Sequence, residues 1–172
     1  TSGCVLISKN KLFLRHFHEQ LKANGVIKKY EAILVGVLKK DIKIQTNIDI
    51  STKEHHHKVK ESKDGKKAIS IFKIQKKYKS FTHAEILIST GRMHQIRLQS
   101  ANLNHPIVND RKYGLFSLNQ FIARETSISR LALHASSISF ETLDGQKVSY
   151  EGQKNNDFDI LLSKLNKLTI KS

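Results

Sequence analysis

The densest group of charged and hydrogen-bonding side chains lies in residues 90–114, TGRMHQIRLQSANLNHPIVNDRKYG. An apolar, β-branched run ends at Thr90, and Gly91 allows a sharp turn. Arg92, His94, Gln95 and Arg97 then crowd the first turn of a helical pattern. A helix N-terminus favours anions, and two guanidinium forks beside it can grip phosphate or carboxylate at two points each. Asn104, His105, Asn109, Asp110 and Arg111 add polar groups on the next loop. Such crowding at a sheet end predicts a binding site, against the plainer alternative of a capped helix carrying surface ion pairs.

The charge agrees with a polyanionic partner. The 172 residues hold 30 Lys and Arg against 15 Asp and Glu, a net charge of +15. Six of the cations are Arg, and five of these (Arg92, Arg97, Arg111, Arg124, Arg130) fall between residues 92 and 130. Lysine serves general solubility, whereas arginine's planar fork matches phosphate. Nucleic acid is the favoured partner.

Other candidate chemistry is weaker. His55, His56 and His57 are adjacent, so on an extended segment their rings point to alternate faces and do not converge on one ion. No second cluster at ligand spacing accompanies them, and neither a metal nor a cofactor is expected. Cys4, the single cysteine, sits in the apolar run CVLIS and reads as a packed core thiol. Neither GxxxxGK[ST], GxGxxG nor GxSxG occurs. No run approaches the ~18 apolar residues of a membrane helix. With no secretory signal and no possible internal disulfide, the expected setting is cytoplasmic.

The elements that must position these residues follow from periodicity. Cys4–Ser8 reads as a buried strand. Asn10 caps a helix to about Asn24, with Phe13, Phe17 and Leu21 on one face and Gly25 as its stop. Residues 28–37 form a strand. Residues 41–50 read as a strand pair turning at Thr46–Asn47, and residues 51–67 as a solvated hairpin tip ending in the Asp64–Gly65 turn. Ala68–Tyr78 and Phe81–Thr90 are strands, followed by the helix after Gly91. Residues 115–129 fit a loop with a short helix. Leu131–Thr142 and Lys147–Glu151 are strands joined at Asp144–Gly145, and Asn156 or Asp157 caps a last helix bearing Phe158, Leu161, Leu162, Leu165 and Leu168. About eight strands and three helices make an α+β domain, residues 1–172, on a largely antiparallel mixed sheet.

Several of these motifs, in order, resemble the RluA-type pseudouridine synthases, which isomerise uridine to pseudouridine in RNA. Thr90–Arg97 resembles the family's TGR-x-HQIR run. Asn104–Asp110 with Tyr113–Gly114 is similar to G-H-P-I-x-G-D-x-x-Y-G. Lys28–Ala32 ahead of Val35–Gly36 resembles K-x-Y-x-A…V-x-G, and Arg130–Ala135 resembles R-L-x-L-H-A. Thr1–Ser2–Gly3 is similar to the end of H-R-L-D-x-x-T-S-G. Asn104 and Asn109 replace glycines, which asks for asparagines in the left-handed region.

The resemblance implies the pseudouridine synthase catalytic fold and a catalytic aspartate three residues before Thr1, outside this sequence. The remainder of an N-terminal part, with any RNA-binding domain, is expected upstream as well. Tyr30 is implied as the catalytic ring that stacks on the base and handles the carbon 5 proton, and Arg97 as the partner of the aspartate. Arg92, His94, Gln95, Asp110, Arg111, Leu131 and Leu133 are the expected substrate- or RNA-binding residues, and His134 serves structure or function equally. RNA is the expected partner, large-subunit rRNA ahead of tRNA, with no membrane, no DNA and a monomeric state. The alternative is a non-catalytic RNA-binding module using the same basic cleft.

Overall fold

A computed structural model describes residues 1–51, 58–153 and 156–168. Its strands are β1 (Ser2–Gly3), β2 (Ile27–Val35), β3 (Ile42–Ser51), β4 (Lys58–Glu61), β5 (Lys66–Lys77), β6 (Phe81–Ile88), β7 (Leu133–Glu141) and β8 (Lys147–Glu151). The helices are α1 (Lys11–Lys22), α2 (Gln95–Asn102), α3 (Phe116–Thr126) and α4 (Asn156–Leu165). Together they form one eight-stranded mixed sheet in the order β1-β7-β2-β6-β5-β3-β4, with β8 also paired to β7. Every pairing except β1–β7 is antiparallel, as expected for strands joined by short turns.

The main core lies between the inward residues of β2, β5, β6 and β7 and apolar side chains from α2, α3 and α4. Ala32, Leu34, Phe72, Phe81, Ile86, Ile96, Ile122, Phe158 and Leu161 are buried there. A satellite cluster seats α1 through Phe13, Phe17 and Leu21 against Phe140 of β7, the three phenyl rings meeting at 5.4–6.1 Å. The Asn10 side chain accepts the Leu12 and Phe13 amides, as its capping role requires.

Several elements differ from the sequence reading. The strand expected at Cys4–Ser8 is absent: pairing stops at Gly3, and Val5 and Ile7 are exposed. The reason is competition for one edge. β8 pairs with Ser137–Glu141 of β7, and the Gly152 amide takes the carbonyl of Ser136, leaving residues 5–8 no partner. Cys4 is accordingly half-buried rather than a core thiol. The turn expected at Thr46–Asn47 is also absent. Both residues pair straight through, with Ala68 and Lys67, so β3 is one strand of ten residues. The ambiguous stretch 115–129 contains α3, giving four helices where three were expected. Asn156 is the first residue of α4 rather than its cap. The His55–His57 triple lies outside the described residues, with the rest of 52–57. The remainder of the expected solvated tip is more ordered, since Lys58–Glu61 form β4 against β3 with Val59 buried, and the Asp64–Gly65 turn is present, with the Gly65 amide donating to Ser62 O.

Two glycines explain why their motifs need them. Gly36 adopts φ +81°, and a Cβ there would lie 2.8 Å from Nδ1 of His105, whose ring sits over this turn within 2.8 Å of the Val35 carbonyl. Gly3 adopts φ +102°, and a Cβ would run into the backbone of Ala135. Gly3→Ala is therefore expected to cost about 1–3 kcal/mol through forced backbone strain. A melting temperature within 1 °C of the parent would show that β1 is not held as described.

Candidate active site

The site is assembled where β2, β6, β7 and the start of α2 meet. Across the sheet Tyr30 stands opposite Ile86 on β6 and Ala135 on β7, so its ring emerges between the two flanking strands. The β6 strand ends at Ile88, and Ser89–His94 turn the chain into α2. His94, the residue before α2, holds a left-handed backbone at φ 55°. These elements enclose a cleft of about 340 Å³ lined by Thr1, Tyr30, Ile88, Gly91, Arg92, His94, Gln95, Ile96, Arg97 and Leu133.

The second motif is stitched to the first by the sheet itself. The Val35 amide donates to Pro106 O, Val108 N–H to Ile33 O, and Ala132 N–H to Val108 O. These bonds wedge residues 106–108 beside the end of β2 and deliver Asp110 to the flank of α2. Asn104 and Asn109 take φ values of 60° and 61°, the left-handed conformation anticipated for asparagines replacing glycine.

Arg97 and Asp110 then close a bidentate pair. Arg97 Nε donates to Oδ2 and Nη2 to Oδ1, both at 2.8 Å. The carboxylate is fully buried, and it also accepts the amides of Lys112 at 2.9 Å and Tyr113 at 3.0 Å. Burial alone would push the Asp110 carboxyl up. The Arg97 fork and the two amides outweigh it and hold the group below the usual carboxylate range. The same bonds to Asp110 raise Arg97 above its ordinary value. Tyr113 completes this wall: its ring lies 5.2 Å from the Arg97 guanidinium, and its hydroxyl is 3.0 Å from Nδ1 of His94. Burial, then the charges of Arg97 and Lys112, lower the His94 pKa, so the ring is neutral at neutral pH.

The Tyr30 phenol is pushed above its usual value, first by burial and second by the Cys4 charge. It therefore faces the cleft as a neutral hydroxyl on an apolar plate.

The sequence-derived residues divide into distinct places. Tyr30, Arg92, His94, Gln95, Arg97 and Leu133 all line the cleft. Gln95, however, is 3% exposed and committed to protein partners. Its Oε1 accepts from Thr90 Oγ1 and the Arg92 amide, while its Nε2 donates to Ile69 O and Ser70 Oγ. It fixes the turn rather than offering a group to a ligand. Asp110, expected among RNA contacts, is buried under Arg97 and positions it instead. Leu131 packs against the main core outside the cleft, and Arg111 lines a separate cavity with Asn109 and Phe116. His134 is buried, its Nδ1 2.9 Å from Ser2 Oγ, and ties β1 to β7.

Sequence reasoning missed Ser70, Thr46 and Gln99. Gln99 Nε2 donates to Thr46 Oγ1 and Ser70 Oγ donates to Gln99 Oε1, a buried polar lacing between β3, β5 and α2. The available signal was Ser70, a polar residue at an inward position between Ala68 and Phe72.

Among known proteins, residues 1–102 match the family described as RNA pseudouridylate synthase. The chain is 42% identical over 142 residues to the ribosomal large subunit pseudouridine synthase C of Buchnera aphidicola subsp. Baizongia pistaciae, covering 81% of this chain and 45% of that protein. It is 35% identical over 170 residues to the protein of the same name from Haemophilus influenzae, covering 96% of this chain and 52% of that protein. The chain thus spans about half the length of these relatives. Human RNA Pseudouridylate Synthase Domain Containing 4 superposes with a TM-score of 0.72 at 19% identity, over 95% of this chain and 75% of its own. Human RNA Pseudouridylate Synthase Domain Containing 1 gives 0.71 at 21%, over 93% and 72%. The fold is shared with both, and by sequence the chain belongs to the RNA pseudouridylate synthase family.

Proposed function

We propose that residues 1–172 are the catalytic domain of an RNA pseudouridine synthase acting on large-subunit rRNA, with its nucleophilic aspartate three residues before Thr1. The observation that carries this reading is the position of Thr1 on the wall of the cleft that holds Tyr30 and Arg97. Three residues span at most about 10 Å, so that aspartate falls within reach of the same cleft. The rRNA preference follows the relatives named for the large ribosomal subunit. A cytoplasmic, monomeric enzyme without cofactor is the simplest form of the proposal. Among the described residues no helix is long and apolar enough to cross a membrane.

The reaction conserves atoms and electrons. The C1′–N1 bond of uridine breaks and a C1′–C5 bond forms. The C5 proton is lost, and N1 ends protonated. Neither oxidant nor phosphoryl donor enters the balance. The target base must first leave its stack, at a cost of a few kcal/mol. Leu133 and the Tyr30 ring offer it apolar surfaces in the cleft, and Arg97, with two of its five N–H donors held by Asp110, keeps others for the incoming carboxylate.

The test compares this chain with the same chain extended through its native upstream residues, on rRNA transcribed without modification. Pseudouridine is expected from the extended protein and not from residues 1–172 alone. RNA binding by both with turnover by neither would instead favour a non-catalytic RNA-binding module.

A further inference from the structure

Lys28 has no part in the site as described so far, yet it lies beside it. The regular β2–β6 register sets Lys28 against Ile88 and Tyr30 against Ile86, so the two side chains share one face. The lysine reaches over the turn into α2: a Cβ at Gly91 would lie 3.1 Å from Lys28 Nζ. The next residue, Arg92, donates from Nε to the Lys67 carbonyl at 3.0 Å, which pins its guanidinium to the same wall. The Lys28 ammonium is half-buried and makes no hydrogen bond or ion pair with a described residue. Burial first, and then the Arg92 charge, press its pKa below the ordinary lysine value. An ammonium partly removed from water and set beside a second cation is costly unless an anion completes the group.

We propose that Lys28 and Arg92 form a phosphate-binding site at the lip of the cleft, which takes an RNA backbone phosphate next to the flipped uridine. The ligand class follows from the donors. Arg92 offers a fork with its remaining N–H groups, Lys28 a point charge, and a phosphodiester accepts both. The assignment rests on the RNA-modifying reading above and adds the residue that fixes the nucleotide's backbone while Tyr30 holds its base.

The test measures RNA affinity of the full-length protein, with its upstream residues, for unmodified large-subunit rRNA transcript between 50 and 200 mM salt. Each phosphate contact adds about 0.7–0.9 to the slope of log affinity on log salt. Lys28→Gln is expected to lower the slope by about one such contact and to raise KM with kcat within about twofold. Lys28→Arg should restore the slope. Lys29→Gln, on the opposite face, controls for loss of a charge and should leave it unchanged. In the absence of RNA, Lys28→Met is expected to melt no lower than the parent, because it removes an unpaired charge. A lower melting temperature with an unchanged slope would make Lys28 a structural prop and overturn the site. Failure of the parent protein to bind RNA would instead overturn the functional reading beneath it.

Discussion

Tyr30→Phe in the full-length protein should bind RNA within about twofold of the parent and turn over about 10²–10⁴-fold more slowly. The substitution keeps the flat ring between β6 and β7 and removes one oxygen. On the proposed role, stacking, which depends on the ring, should survive, while the hydroxyl assigned to the proton leaving carbon 5 is lost. Because burial raises the phenol pKa, Tyr30 would enter the proposed reaction as a neutral donor and acceptor rather than as a standing phenolate. Tyr30→Ala separates the two functions, since it should weaken binding as well, by the roughly 1–3 kcal/mol of a lost base–aromatic stack. Pseudouridine formation by the Phe variant at more than a third of the parent rate would remove Tyr30 from proton handling and leave it a platform.

Asp110→Ala is the change expected to cost the fold most. The carboxylate holds both arms of Arg97 and the amides of Lys112 and Tyr113 in a place closed to solvent. Removing it strands a guanidinium and two amides at once. Breaking a buried pair from one side costs about 3–5 kcal/mol. For a domain of this size that is a fall in melting temperature of roughly 6–20 °C. The pH dependence supplies a second reading. Asp110 titrates lower in the folded chain than its unfolded value near ~3.9, so its contribution is complete above that pH and is lost as the pH falls through the folded pKa. The stability gap between the parent and Asp110→Asn should therefore be constant near neutrality and close in acid. A gap that stayed constant down to pH 2, or a melting temperature within 2 °C of the parent, would show that the pair is not the clamp described.

The site was legible in the sequence to the extent that it is local. Arg92 and His94 lie on one turn and Arg97 in the first turn of the helix that follows it, so their spacing alone announces an anion-gripping corner. Tyr30 came from its motif, since a single tyrosine on a strand has no signature of its own. What could not be read is closure. Arg97 and Asp110 are thirteen positions apart, and nothing in that spacing says that the Pro106–Val108 segment is laced to β2 so that the two meet. The sequence accordingly pairs Arg97 with the upstream aspartate and assigns Asp110 to RNA, with no sign that the two side chains meet. The strand predicted at Cys4–Ser8 failed for a related reason: its apolar pattern is real, but a strand also needs a free edge, and β8 had taken it.

The two-residue pairing of Ser2–Gly3 with His134–Ala135 has a consequence for biosynthesis. Ser2 and His134 are 132 residues apart, so the wall of the cleft beside Thr1 has no partner strand until β7 is translated. At about 5–20 residues per second, a nascent chain waits roughly 7–26 s between making one half of that contact and making the other. Long-range closure of this kind also slows folding itself. A protein whose proposed substrate is ribosomal RNA therefore cannot engage that RNA through this cleft while its own β7 is still unmade.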